Sequence, residues 1–185
     1  MMNQLRTSLA VGLLALAACA GDKAPPPAAP FVPPPEGWTF EFADGRTWDP
    51  VEQTRSKESA VVIYVLPGQT KEEWSELVTT GLTFGGHRRA TVSQLAEVTR
   101  KALEKDCQGF KWEIIEESDK NIMYEWRHFG CKDKQPGQHE IARLTVGRLG
   151  IHRLAYDSRT GRIPTGLRRQ WVKAISEATV GPISR

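Results

Sequence analysis

The chain lacks most of the short patterns that mark catalysis. Among its 185 residues are only three cysteines and four histidines. None of these forms an HExxH or CxxC pair, so no motif spacing points to a metal centre. No GxSxG or SxxK surrounds a serine, which leaves no activated nucleophile to point to. "LPGQT" and "FGGHRR" are glycine-bearing loops without the lysine of a phosphate loop. A dominant charge is also missing: 25 Lys and Arg stand against 22 Asp and Glu, a net charge of +3. That balance is too mild to argue for a nucleic-acid partner. Long hydrophobic runs are missing as well. The one apolar run, Leu9 to Ala18, is about half of the ~20 residues a membrane-spanning helix needs.

That short run carries a different message. Arg6 precedes it, and Cys19-Ala20-Gly21-Asp22 follows it with small and polar residues. A positive flank, a short apolar stretch and a small-residue exit are the layout of a secretory signal peptide, residues 1–18. Leu16-Ala17-Ala18-Cys19 resembles the lipobox of bacterial lipoproteins. The resemblance implies that Cys19 becomes the first mature residue and carries a diacylglycerol on its thiol, as palmitate labelling would detect. Each buried methylene adds about 0.8 kcal/mol, so several acyl chains make a lasting anchor. Ala20 stands where an inner-membrane retention signal carries Asp, which implies the periplasmic face of the outer membrane over the inner membrane. An ordinary signal with a chance cysteine is the alternative.

Residues 19–36 then read as a tether. "APPPAAPFVPPP", Ala24 to Pro35, holds seven prolines in twelve residues. Such a segment favours an extended polyproline conformation, at about 3.1 Å per residue. A folded domain is expected over residues 37–185. With Cys19 lipidated, Cys107 and Cys131 form an even pair in an oxidising compartment, where a disulfide persists.

Within the domain the apolar spacing sets the expected elements. "GWTFEF" alternates Trp38, Phe40 and Phe42 as a half-buried strand, and "AVVIYVL", Ala60 to Leu66, is a more buried one. Thr70 to Glu73 has the form of a capping box and predicts a helix that presents Trp74, Leu77 and Val78 and ends by Gly81. Thr91 to Gln94 predicts a second helix, to about Lys105. Phe110, Trp112 and Ile114 alternate, as do Ile122, Tyr124 and Trp126. Pairing apolar with apolar sets Trp112 opposite Trp126 and Ile114 opposite Tyr124. The numbers in each pair add to 238, and so do 107 and 131. The register therefore places the two cysteines face to face. A second hairpin follows, with Ala142, Leu144 and Val146 sharing a face with His152, Leu154 and Tyr156 across a Gly147–Leu149 turn. A third helix after Pro164 presents Leu167, Trp171, Ala174, Ile175 and Ala178. The expected fold is α+β, a largely antiparallel sheet with about three helices. This order, the early tryptophan, "GRLGIHRLAY" and the closing "WVKAISEAT" resemble Mog1/PsbP-like domains. That resemblance implies a binding or assembly factor and transfers no site residue.

Charge placement supplies the candidate binding residues. From Ile141 onward nine Lys and Arg face only Asp157 and Glu177. The hairpin reading sets Arg143 opposite Arg153 and Glu113 opposite Glu125, and like charges opposite each other need a compensator. The glutamates answering the arginines is one solution. An anionic ligand on Arg143, Arg153, Arg168 and Arg169, or on Arg88 and Arg89 of "FGGHRR", is the other. His152 fits an inward, hydrogen-bonded core position, and no metal or cofactor is expected. The function expected is an anchored envelope lipoprotein that binds an envelope protein or an anionic cell-wall or lipid group without catalysis. An enzyme acting on cell-wall or lipid substrates, and an immunity-type inhibitor of a toxin, are the alternatives.

Overall fold

A computed structural model describes residues 31–132 and 136–183. The residues read above as a signal peptide, Cys19 and most of the proline-rich stretch lie outside the described residues. In chain order the strands are β1 (Glu36–Thr39), β2 (Asp49–Arg55), β3 (Ser59–Val65) and β4 (Glu76–Phe84). Helix α1 (Val92–Asp106) is followed by β5 (Cys107–Gln108), β6 (Lys111–Glu117), β7 (Asn121–Cys131), β8 (Pro136–Val146) and β9 (Gly150–Ser158). Helix α2 (Thr165–Glu177) and β10 (Thr179–Pro182) close the order. Eight strands form one sheet in the order β2-β3-β4-β9-β8-β7-β5, with β6 also on β7, and every pairing is antiparallel. β1 and β10 form a separate two-stranded ribbon.

The sheet is covered on both faces, which makes an α+β fold with two α-helices among the described residues. On one face α1 lays Val92 and Ala96 against Ile122, Tyr124, Trp126, Ala142 and Ala155. Its start is a capping box: Thr91 accepts from the Gln94 amide, and the Gln94 side chain accepts from the Thr91 amide. On the other face α2 packs Trp171 and Ile175 against Met123, Ile141, Leu154 and Tyr156. The Tyr156 and Trp171 rings stack at 4.3 Å. Trp38, Phe40 and Phe42 all pack onto this second cluster, as their alternation predicts, although β1 itself ends at Thr39. Neither helix is long and apolar enough to cross a membrane.

Two expectations about the sheet are overturned. The helix expected from Thr70 is absent. Thr70 Oγ1 does accept from the Glu73 amide at 3.0 Å, but only a turn forms, and residues 76–84 run as strand β4. Val78, Thr79, Thr80 and Thr83 are β-branched and pair on both sides, with β3 and with β9. The second hairpin is one residue out of the expected register. The Gly147 amide donates to the Gly150 carbonyl, which makes Arg148-Leu149 a two-residue turn. Leu144 thus faces Arg153, and Arg143 faces Leu154. Arg143 and Arg153 end on opposite faces of the sheet and are not a cross-strand pair.

The first hairpin keeps its expected register. Trp112 pairs with Trp126, Ile114 with Tyr124 and Cys107 with Cys131, with one bulge after Ile114. Cys107 and Cys131 are disulfide-bonded, with an S–S distance of 2.08 Å. Closing a loop of this sequence separation, 24 residues, is expected to contribute about 3.5 kcal/mol. Replacing both cysteines by Ala should lower stability to urea by that order. Non-reducing digestion should recover the two cysteine peptides linked, and two free thiols would contradict the pairing.

Glu36, taken above as the end of the tether, belongs to the fold. It is 5% exposed and accepts hydrogen bonds from the amides of Arg148 and Leu149 and from His152 Nε2. One carboxylate so fastens β1 to the β8–β9 turn. His152 is the inward, hydrogen-bonded histidine the alternation predicts, and its pKa is lowered by burial, against the pull of Glu36.

Candidate functional site

Strand alternation brings one set of charged side chains to the α2 face. Lys111 and Glu113 of β6, Glu125 and Arg127 of β7 and His139 of β8 occupy alternate positions on adjacent strands. Lys111 lies opposite Arg127, and Glu113 lies opposite Glu125. The segment Arg162–Arg168 leads into α2 and walls the other side. Together they line a cleft of about 270 Å³.

One half of this cleft is hydrogen-bonded and ion-paired from within. Arg168 Nε donates to Glu125 Oε2 at 2.6 Å, and its terminal nitrogen also contacts that oxygen and stands 4.0 Å from Glu113. His139 Nε2 lies 2.5 Å from Glu125 Oε1. The Ile163 amide donates to His139 Nδ1 at 2.8 Å, so the ring proton is on Nε2 and points at Glu125. Burial pushes the Glu125 carboxyl up. The hydrogen bonds from His139 and Arg168 outweigh it and hold the carboxyl at about 2. Both histidine nitrogens are thereby committed, and the trio is an organised ion-pair cluster.

The other half is not neutralised. Lys111, Arg127 and Arg162 line the same cleft. Among the described residues none of the three has an ion-pair partner, in contrast to Arg168 beside them.

The candidate arginines of the sequence are scattered. Arg143 donates to the carbonyls of Ile175, Ser176 and Ala178 and to Asn121 Oδ1, so it closes the C-terminus of α2. It does not answer Glu113 or Glu125. Arg153 lies on the α1 face, 2.6 Å from Glu140 Oε2. Glu140 also accepts from Trp126 Nε1, and Asp157, its register partner, accepts from Gln138. Arg168 is held by Glu125, whereas Arg169 is exposed. Arg88 and Arg89 sit at a short 3-10 turn, Gly86–Arg88, and Arg89 donates to the Phe84 carbonyl. Cys107 and Cys131 lie beside buried His128, whose Nε2 is 3.4 Å from Cys131 Sγ. Both sulfurs are bonded to each other there. Cys19 lies outside the described residues.

Lys111, Arg127 and Arg162 were not among the sequence candidates. Two of them were within reach, because 111 and 127 also add to 238 and so face each other in the register that pairs the cysteines. Arg162 gave no signal, since only the fold carries its loop to β7. Compared with known proteins, the chain matches no family model and no curated sequence.

Proposed function

We propose that the protein is a bacterial envelope lipoprotein. In this reading Cys19 bears the lipid, the proline-rich stretch is a spacer, and the folded domain binds an envelope protein or an anionic cell-wall or lipid group without catalysis. The observation that carries it is Leu16-Ala17-Ala18-Cys19, set directly after a short apolar run and directly before the spacer. Ala20 supports the periplasmic face of the outer membrane. Binding over catalysis is supported by the state of the polar groups that catalysis would need. His139 has both nitrogens committed, His152 is tied to Glu36, and the cysteine sulfurs are bonded.

An enzyme is the second reading, and the feature that favours it is the facing pair Glu140 and Asp157. Paired carboxylates serve acid–base chemistry when substrate reaches them. These two are 1% and 3% exposed and are held by Trp126, Arg153 and Gln138. They serve the fold better than a substrate.

Cys19→Ala is expected to abolish palmitate incorporation and to move the protein from the membrane fraction to the soluble one. A labelled, sedimenting Cys19→Ala chain would end the lipoprotein reading.

A further inference from the structure

The two halves of the cleft pose the same electrostatic problem, and the fold solves only one. Glu113 and Glu125 are like charges directly opposite each other, and Arg168 and His139 answer them. Lys111 and Arg127 are the next pair of like charges along the same ladder. Such a pair is destabilising unless an opposite charge lies between. Arg162 adds a third positive group to the same cleft in place of a carboxylate. Among the described residues no acid answers these three.

We infer that this cleft binds a phosphate monoester, held by Lys111, Arg127 and Arg162. The inference rests on the binding-module reading and names the chemistry of its ligand. Lys111, Arg127, Arg162 and Arg168 set against Glu113 and Glu125 leave the lining at +2, with His139 carrying a single ring proton. A phosphate monoester carries about −1.5 to −2 at pH 7 and presents three acceptor oxygens. A single carboxylate, with one charge and two oxygens, satisfies one guanidinium fork and leaves two cations unanswered. Lys111 and Arg127 stand side by side on β6 and β7, and Arg162 joins them from the loop before α2 in the lining of the same cleft. At about 270 Å³ the cleft holds more than a bare phosphate, with room for the sugar or glycerol unit that bears it.

The test uses the full chain, ¹⁵N-labelled and purified in neutral detergent. It is titrated with glycerol 3-phosphate, with sodium acetate at equal ionic strength, and separately with micelles doped with phosphatidic acid. The amides of Lys111, Arg127 and Arg162 are expected to shift saturably with glycerol 3-phosphate or with the doped micelles, and acetate to give no saturation. Saturation only in the doped micelles assigns a lipid headgroup, and saturation with glycerol 3-phosphate assigns a soluble or polymer-borne phosphate. Arg127→Gln and Arg162→Gln should each weaken binding at least tenfold, while Arg169→Gln should not. Phosphate should also raise the Tm of the wild type and not that of Arg127→Gln. Because Arg127 faces Lys111 and has no ion-pair partner among the described residues, its variant should keep or exceed the wild-type Tm without ligand, and Lys111→Gln serves if it does not. The absence of saturation with either phosphate source, or variants that titrate like wild type, overturns the inference. Palmitate labelling and partner recovery followed on the same variants separate that failure from failure of the lipoprotein reading.

Discussion

Replacing Arg168 by Glu is expected to lower stability by about 4 kcal/mol, as breaking a mostly buried ion pair does. Glu125 has a side chain only 11% exposed and faces Glu113 across the ladder. Arg168 is the cation that reaches both. The substitution puts a third carboxylate among two, and it leaves His139 as the remaining donor to Glu125 among the described residues. Arg169→Glu, one residue along, changes an exposed charge and should have almost no effect. Urea unfolding of the two variants makes the comparison, and equal losses would remove Arg168 from its structural role. The sequence alone offers both arginines alike as candidate anion ligands, so this result separates the two positions on the helix.

The same cluster sets an acid limit. Glu125 is held at about 2 in the fold, against about 4.5 without its partners. The folded carboxyl therefore binds its proton later than the unfolded one. Its stabilisation is complete above about pH 4.5 and is lost as the pH falls toward 2, a span worth about 3 kcal/mol. Arg168→Ala should flatten that slope in acid unfolding curves.

What was legible in the sequence follows from how each face is buried. The β6–β7 register could be read because β6 is half exposed, with Trp112 buried more than its neighbours Lys111 and Glu113. The β8–β9 register could not. Ile141 and Ala142 are both 0% exposed, since helices cover both faces of the sheet, so neither residue marks an inward side. A turn of two residues instead of three then moved every side chain of β9 to the other face. Strand β2 is nearly all exposed and polar, and it lacked any apolar alternation to detect. The Thr70 box formed its local hydrogen bond and still failed as a helix signal, because pairing on both edges of β4 outweighs a single cap. For the cleft, the like-charge pairs were legible from the register. Their compensator was not, because Arg168 lies 43 residues from Glu125 and arrives only when α2 docks.

Arg153→Met is expected to cost about 4 kcal/mol near pH 7, again the price of stranding a buried charge. Glu140 and Asp157 face each other at 1% and 3% exposure, and Arg153 is the cation at Glu140 Oε2. Met fills the space of the arginine stem and supplies no charge, so among the described residues Glu140 keeps Trp126 Nε1 and the protonated Asp157 carboxyl as donors but loses its cation. Glu140→Gln in the Arg153→Met background should recover more than 1.5 kcal/mol of the loss, a coupling of the size that direct partners show. Asp157 behaves in the opposite sense. Burial raises its pKa well above 3.8, and the charge of Glu140 raises it further, against the pull of Arg153 and Gln138. The folded state thus holds the Asp157 proton more tightly than the unfolded chain. Its contribution is complete below about pH 3.8 and declines as the pH rises through the folded value. Asp157→Asn keeps an acceptor for Gln138 and a donor for Glu140 without the titration. Its stability at pH 7 should equal or exceed that of the wild type, and the decline above pH 4 should flatten. Additive losses in the Arg153/Glu140 cycle, or a destabilised Asp157→Asn, would show that the three groups do not share one charge network.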